Sequence, residues 1–489
     1  MSGYSKKDFD FSKYKYLMEA GRRIFFIGIG GISMSGLAEL ALDRGQIVAG
    51  SDLRKSERGV YLESLGITVY APHSAEHIDL FKPDAIVYTA AIPKDNVELM
   101  RADELSLPCI ERSDWLGLLN REFPQIINIA GTNGKSTCTA MCSYICMDAG
   151  LDPTVHLGAE LDRFRSTIHL GGNELMISEA CEFNYSFYSF HSTITSVLNL
   201  GHDHVDLFPE MQDVIEAFAT YVLRQAAGTK LVLPSFDPYI ADMLAICEAK
   251  DAQKLAELEL YFFGYPQDKI WGKHPDLIIH EVKSEKGLPQ FRLTYRGQDA
   301  GQYSLQIPGN FNVENAAAAV LMSHLAGADF ASAVKSLASF RGAEGRFTIC
   351  GYYNDALLIN DYAHHPDSVA KTIQAAKELG FKKVVACFQP ITYSRAKGLA
   401  KGFVKALAEA DRAILLEVFD DREKDHSFSS AQIAEEIKVN GGEASYFSSL
   451  EELEKNLRST IQAETLVLFM GQTIRQVGDR LAERKDHFS

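Results

Sequence analysis

The chain has 489 residues, 46% of them hydrophobic and 23% charged, and a net charge of −16. That length exceeds one ordinary hydrophobic core and points to about three domains. The acidic balance argues against a general nucleic-acid or anionic-membrane surface, no apolar run reaches the ~20 residues that span a bilayer, and the opening MSGYSKKDFDFSKYK lacks a signal-peptide core, so a cytoplasmic protein is expected.

The first segment, residues 1–122, contains RRIFFIGIGGISMSGLAELALDRGQIVAGSD, which reads as strand, glycine turn, amphipathic helix and strand. The apolar run Ile24–Ile27 feeds a turn at Gly28, Gly30 and Gly31, and Met34, Leu37, Ala38 and Ala41 follow at helical spacing. Ile47–Ala49 form the next strand, and Asp52 sits just past it, where a dinucleotide fold places its ribose-binding acid. The third glycine of GxGxxG is replaced by Ser33. DAIVYTAAIP is a further buried strand ending in a small-residue loop. The pattern fits a diphosphate on the helix N-terminus, and it also fits a tight turn with no ligand.

The second segment, residues 123–343, opens with QIINIAGTNGKSTCTAMCSYICMDAGL, again strand, loop and helix. The loop ends in Gly134-Lys135-Ser136, yet the glycine that usually stands five positions earlier is Ile129, and the nearest is Gly131. Gly131–Ser136 supplies backbone N–H groups, Lys135 a charge for the β- and γ-phosphates, and Ser136 a hydroxyl for Mg²⁺. Cys138, Cys142 and Cys146 fall on one helix face and are expected in the core. LMISEACEFN ends a buried run in Glu179 and Glu182; Glu179 is favoured as a metal ligand, while metal ligation and capping stand level for Glu182. NLGHDHVD gathers Asn199, His202, Asp203, His204 and Asp206 in one loop, more ligand-type side chains than a structural loop usually needs. DLIIHEV, FRLTYRG and YSLQIPG alternate like antiparallel strands, and NVENAAAAVLMSHLAGA is an alanine-rich helix.

The third segment, residues 344–489, alternates strand and helix through LLINDYAHHPDSVAKTIQAAKEL, KVVACFQP, AKGLAKGFVKALAEA, RAILLEVF and TLVLFMGQTIRQVGDRLAE. Asp361, Tyr362, His364 and His365 follow one strand, Arg395 begins a helix, and Arg346 lies at the boundary. Such alternation implies parallel sheets with right-handed crossovers. The fold class is therefore α/β in three consecutive domains: Rossmann-like at the N-terminus, a central P-loop ATPase-like domain with extra antiparallel strands, and Rossmann-like again at the C-terminus.

Taken together, GIGGISMSGLAE, AIPKDN, GTNGKST, SEACE, LNLGHDHVD, IPGNFNVENAAAA, EGRF, DYAHHP and FQPITYSR, in this order, resemble the Mur ligase family along nearly the whole chain. The shortened loop is that family's GTxGK[ST] phosphate cradle. The resemblance implies an ADP-forming ligation in peptidoglycan precursor synthesis, joining an amino acid, L-alanine, to the carboxylate of UDP-N-acetylmuramate through an acyl phosphate. ATP and Mg²⁺ would serve the reaction in a monomer or weak homodimer with no nucleic-acid or membrane partner. It further implies that Gly28, Gly30, Gly31, Ser51, Asp52 and Thr89 hold the UDP-sugar. Gly131, Thr132, Asn133, Gly134, Lys135, Ser136 and Thr137 would cradle the nucleotide, with Asn312 and Asn315 near adenine and Asp361 near ribose. Ser136, Glu179 and His204 would hold metal, Lys135, Glu179, His204 and Arg346 would act on the transferring phosphate, and His364 and Arg395 would line the amino-acid side.

The chain departs from the alanine-adding pattern at Asn133 (usually histidine), at Cys181 and Asn184 (usually acids), at Ile391 in place of the histidine of FQPH, and in MGQTIR where MGAGDI is usual. Ile391 lies near the presumed amino-acid pocket, so the added amino acid is the least fixed feature. A ligase that returns murein tripeptide to the same UDP-sugar is an alternative. A nicotinamide-dependent oxidoreductase, read from the glycine turn alone, is an alternative of another class.

Overall fold

The computed structural model describes residues 9–164, 166–204, 207–285, 287–419 and 427–483. Packing divides them into two units. One takes the chain through Phe263, with Gln267–Asp276 and Ala318–Asp329; the other takes Gly264–Pro266, Leu277–Ala317 and the chain from Phe330.

The first unit starts with a sheet of β1 (Arg23–Ile27), β2 (Ile47–Ser51), β3 (Thr68–Tyr70), β4 (Ala85–Tyr88) and β5 (Cys109–Glu111), in the order β3-β2-β1-β4-β5 and parallel throughout. Central β1 is apolar on both faces. Phe26 joins the core of Leu37 and Trp115, and Phe25 and Ile27 join Ile78 and Phe81. That is the continuous hydrophobic run expected of a strand covered on both sides.

The same unit then builds β6 (Gln125–Ala130), β7 (Thr154–Leu161), β8 (Ser166–His169), β9 (Leu175–Glu179), β10 (Ile194–Val197), β11 (Lys230–Pro234) and β12 (Glu259–Gly264). Their order is β12-β11-β10-β6-β9-β7-β8, with only β8 antiparallel to its neighbour. Strand β6 thus lies between β9 and β10, with Ile129 opposite Glu179 and Ala130 opposite Val197. The loops leaving the carboxyl ends of three adjacent strands are brought side by side, the usual ligand position in open α/β sheets. The helix Lys135–Asp148 buries Cys138, Cys142 and Cys146 completely, as their spacing predicts.

In the second unit, β13 (Leu277–Glu285), β14 (Leu288–Tyr295) and β15 (Gln298–Ser304) pair antiparallel, as their alternation predicts. A second sheet comprises β16 (Thr348–Tyr353), β17 (Ala356–Asp361), β18 (Lys383–Phe388), β19 (Arg412–Leu416), β20 (Ala444–Phe447) and β21 (Thr465–Met470), in the order β16-β17-β21-β18-β19-β20. Only β16 runs antiparallel. AKGLAKGFVKALAEA, read as one helix, is instead divided: Tyr393–Gly398 and Ala400–Leu407 are separate, with Leu399 at φ −107° between them. Gly398, a poor helix former, ends the first piece. No helix among the described residues is long and apolar enough to cross a membrane.

Candidate active site

Gly131–Ser136 leaves β6 and enters the helix Lys135–Asp148. Gly131 adopts φ +137°, and a Cβ there would lie 3.0 Å from the backbone nitrogen of Leu198, so the turn admits no side chain. The loop is clamped to the one after β10. Asn133 donates its backbone N–H to Asn199 Oδ1 at 2.9 Å, and Asn199 Nδ2 donates to the Asn133 carbonyl at 2.9 Å. Thr132 Oγ1 accepts from Gly201 N–H at 2.9 Å and donates to the Gly201 carbonyl at 3.2 Å. Asn199, read among the ligand-type side chains of NLGHDHVD, therefore holds the cradle. His202 likewise serves its own loop, bonding the Phe208 carbonyl at 2.8 Å. Asp206 lies outside the described residues.

Lys135 Nζ donates to the Gly131 carbonyl at 2.6 Å and the Thr132 carbonyl at 3.1 Å, and it meets both oxygens of Glu182 at 2.9 and 3.1 Å. Burial alone would lower the lysine pKa, but the charge of Glu182, supported by Cys181 and Glu179, outweighs it and raises the value. Glu182 makes no capping bond to the helical turn that follows it. It is the counter-ion of Lys135, a role neither sequence alternative named.

Glu179, at the end of β9, accepts the Gly158 N–H at 2.8 Å. His204 is held at φ +52°, a conformation that non-glycine residues seldom adopt, and its Nε2 stands 3.7 Å from Glu182. Among the described residues no three or more His, Cys, Asp or Glu side chains converge as a self-sufficient metal centre. Ser136 and Glu179 could offer oxygen donors to one divalent cation and His204 an imidazole to a second, each needing further ligands from outside the chain.

The glycine turn brings together most of the residues expected to bind the sugar nucleotide. Gly28 and Ile29 donate their N–H groups to the Ser51 carbonyl, and Gly30 donates to Asp52 Oδ2 at 2.9 Å. Thr89 borders Gly28, its Cγ2 being 3.1 Å from where a Cβ would stand. The Ser51 hydroxyl is fully buried and engaged by Glu98 at 2.5 Å and His73 at 2.8 Å. Behind the turn, Ser33 Oγ lies 3.0 Å from both Arg112 Nη1 and His156 Nε2. Burial, with repulsion from Arg112, pushes His156 down to about 4. Its Nδ1 is buried with no hydrogen-bond partner among the described residues. Nothing in the local sequence signals this triad, because β7 carries His156 to the turn from far along the chain.

In the second unit, Asp361 ends β17 with its carboxylate committed to the N–H groups of Phe347 and Ala363, each at 2.7 Å. Burial raises its pKa against the opposing influence of Arg346. Arg346 lies over the Tyr362 ring, 5.1 Å from its centroid. His364 packs edge-on against the same ring and bonds the Tyr362 carbonyl. Asn312 and Asn315 are buried at the start of the helix Asn310–Leu325, where Asn315 Nδ2 donates to Asn312 Oδ1 at 3.2 Å. Arg395 is half-buried in the helix Tyr393–Gly398.

Three family models match in chain order: the Mur ligase family catalytic domain over residues 23–124, the Mur ligase middle domain over 129–323, and the Mur ligase glutamate ligase domain over 345–473. The UDP-N-acetylmuramate–L-alanine ligase of Caldanaerobacter subterraneus subsp. tengcongensis is 35% identical over 95% of this chain and 98% of its own. Among solved structures, the UDP-N-acetylmuramate-alanine ligase of Thermotoga maritima superposes with a TM-score of 0.76 at 28% identity, covering 94% of this chain and 98% of that one. A murein peptide ligase from Psychrobacter arcticus shares the fold with a TM-score of 0.69 at 21% identity, covering 94% and 98%.

Proposed function

The chain belongs to the Mur ligase family, and from that premise we propose that it joins L-alanine to the carboxylate of UDP-N-acetylmuramate, converting ATP to ADP and phosphate in peptidoglycan precursor synthesis. The observation that carries this reading is the shortened phosphate loop, whose one lysine is held in a charge-compensated pocket between two acid- and histidine-bearing strand ends. The curated alanine ligases favour alanine over the tripeptide alternative. The nicotinamide oxidoreductase alternative is not supported, because the glycine turn opens a chain whose matched models and relatives are ligases.

A carboxylate resists attack by an amine, so it is first phosphorylated, and the amine then displaces phosphate. Two anions must approach each other for the first step. Lys135 and the N–H groups of Gly131–Ser136 would hold the terminal phosphate and offset that repulsion. Ser136, Glu179 and His204 would hold Mg²⁺, which when bound supplies further charge neutralisation. Gly28, Gly30, Gly31, Ser51, Asp52 and Thr89 are assigned to the UDP-sugar, Asn312, Asn315 and Asp361 to the nucleoside, Arg346 to phosphate charge, and His364 and Arg395 to the amino acid. We assign the three activities to residues 1–122, 123–343 and 344–489 and place the reaction in the cytoplasm. A phosphate-release screen with ATP, Mg²⁺ and UDP-N-acetylmuramate across single amino acids and murein tripeptide tests the reading. Alanine alone should respond; a response to tripeptide alone would establish the recycling activity instead.

A further inference from the structure

Strands β17 and β21 are parallel neighbours with Asp361 opposite Met470, so the segments leaving their carboxyl ends, Tyr362–His364 and Gly471–Arg475, emerge together. Arg475 lies over Tyr362, 5.4 Å from its ring centroid, and Arg346 lies 5.1 Å from the same centroid. Arg475 is fixed in place. Its Nε donates to the Gln472 carbonyl at 3.3 Å. The preceding turn is pinned by Gln389 Oε1, which accepts from Thr473 N–H at 3.0 Å, Thr473 Oγ1 at 2.9 Å and Ile474 N–H at 3.1 Å. A Cβ on Gly345 would stand 2.2 Å from Arg475 Nη1, so a side chain there would displace the guanidinium from this position.

Two guanidinium groups around one ring repel each other, and an aromatic face offsets only part of that cost. Neither makes an ion pair among the described residues. The acids nearby are committed elsewhere: Asp361 to Phe347, Ala363 and Thr372, and Asp479 to the Asn360 amide at 2.9 Å. The Asp361 carboxylate acts on Arg346 through its charge, yet among the described residues neither guanidinium fork is closed by a carboxylate at ion-pair distance. We propose that Arg475 and Arg346 form a two-arginine clamp around Tyr362 for a small oxyanion, with Arg475 a further substrate-binding residue. Guanidinium forks match both carboxylate and phosphate. Resting on the ligase reading, the sources are the amino-acid carboxylate and the transferred or released phosphate.

The test compares the full-length wild type with Arg475→Ala and Arg475→Lys in phosphate release, varying alanine and ATP in turn. Loss of a charge-assisted contact should lower kcat/KM for one substrate by about 10- to 100-fold in Arg475→Ala, with lysine recovering only part. Added guanidinium ion should restore activity to the alanine variant. A rise confined to the KM for alanine identifies the carboxylate; a change in kcat or in the KM for ATP identifies phosphate. Kinetics within about twofold of wild type, or a loss that guanidinium does not rescue, would overturn the clamp. A separate arm needs no turnover: inorganic phosphate should raise the melting temperature of the wild type more than that of Arg475→Ala. An equal response of both would count against a phosphate clamp even if the ligase reading itself failed.

Discussion

Glu182 places both carboxylate oxygens on Lys135, at 2.9 and 3.1 Å, with side-chain exposures of only 4% and 14%. The lysine proposed to meet phosphate is thereby favoured in its charged form against a burial that alone would lower its pKa. Removing the acid leaves a buried ammonium with two carbonyl partners. Glu182→Ala should therefore cost on the order of 3 kcal/mol, read as a lowered denaturation midpoint. The pH dependence has a definite sign. Because the folded lysine pKa is raised, its contribution is complete below the ordinary value of about 10.4 and is lost as pH rises through the folded one. Glu182→Gln should draw that alkaline loss to lower pH.

His156 sets the acid limb. Its folded pKa is about 4 against an ordinary 6.5, so the unfolded chain takes up a proton that the folded one refuses. Stability is complete above about 6.5 and falls as pH drops toward 4, by about 3 kcal/mol in all. A His156→Val protein should lose less stability than wild type between pH 7 and pH 5 in paired denaturant titrations. Parallel losses would show that His156 does not carry the acid limb.

Gly131→Ala places a Cβ against Leu198 at φ +137°. The strain is of order 1–3 kcal/mol and falls on the turn that aims the loop's N–H groups. ATP affinity should weaken at least tenfold while UDP-sugar affinity changes little, as calorimetric titration of each ligand would show.

Much of this was legible from the chain because glycine turns interrupt apolar runs at strand ends: Gly28, Gly131 and the segment after Asp361 each fall where a parallel strand stops. The cysteine face of the helix Lys135–Asp148 and the alternation of β13–β15 followed from period alone. Partnerships between distant segments did not. The Glu182–Lys135 pair depends on β9 lying beside β6, His156 reaches Ser33 only through β7, and Arg475 meets Tyr362 because β21 inserts between β17 and β18. Asn199 and His202 looked like ligands because the side chains that hold a loop and those that hold a metal are of the same types.

The central claim is that a phosphoryl group passes to the sugar-linked carboxylate before the amide forms. UDP-N-acetylmuramate labelled with oxygen-18 in that carboxylate, turned over with ATP and L-alanine, tests it most directly. One labelled oxygen should leave in the released phosphate. Phosphate free of label, with the departing labelled oxygen found instead in AMP or in water, would contradict it.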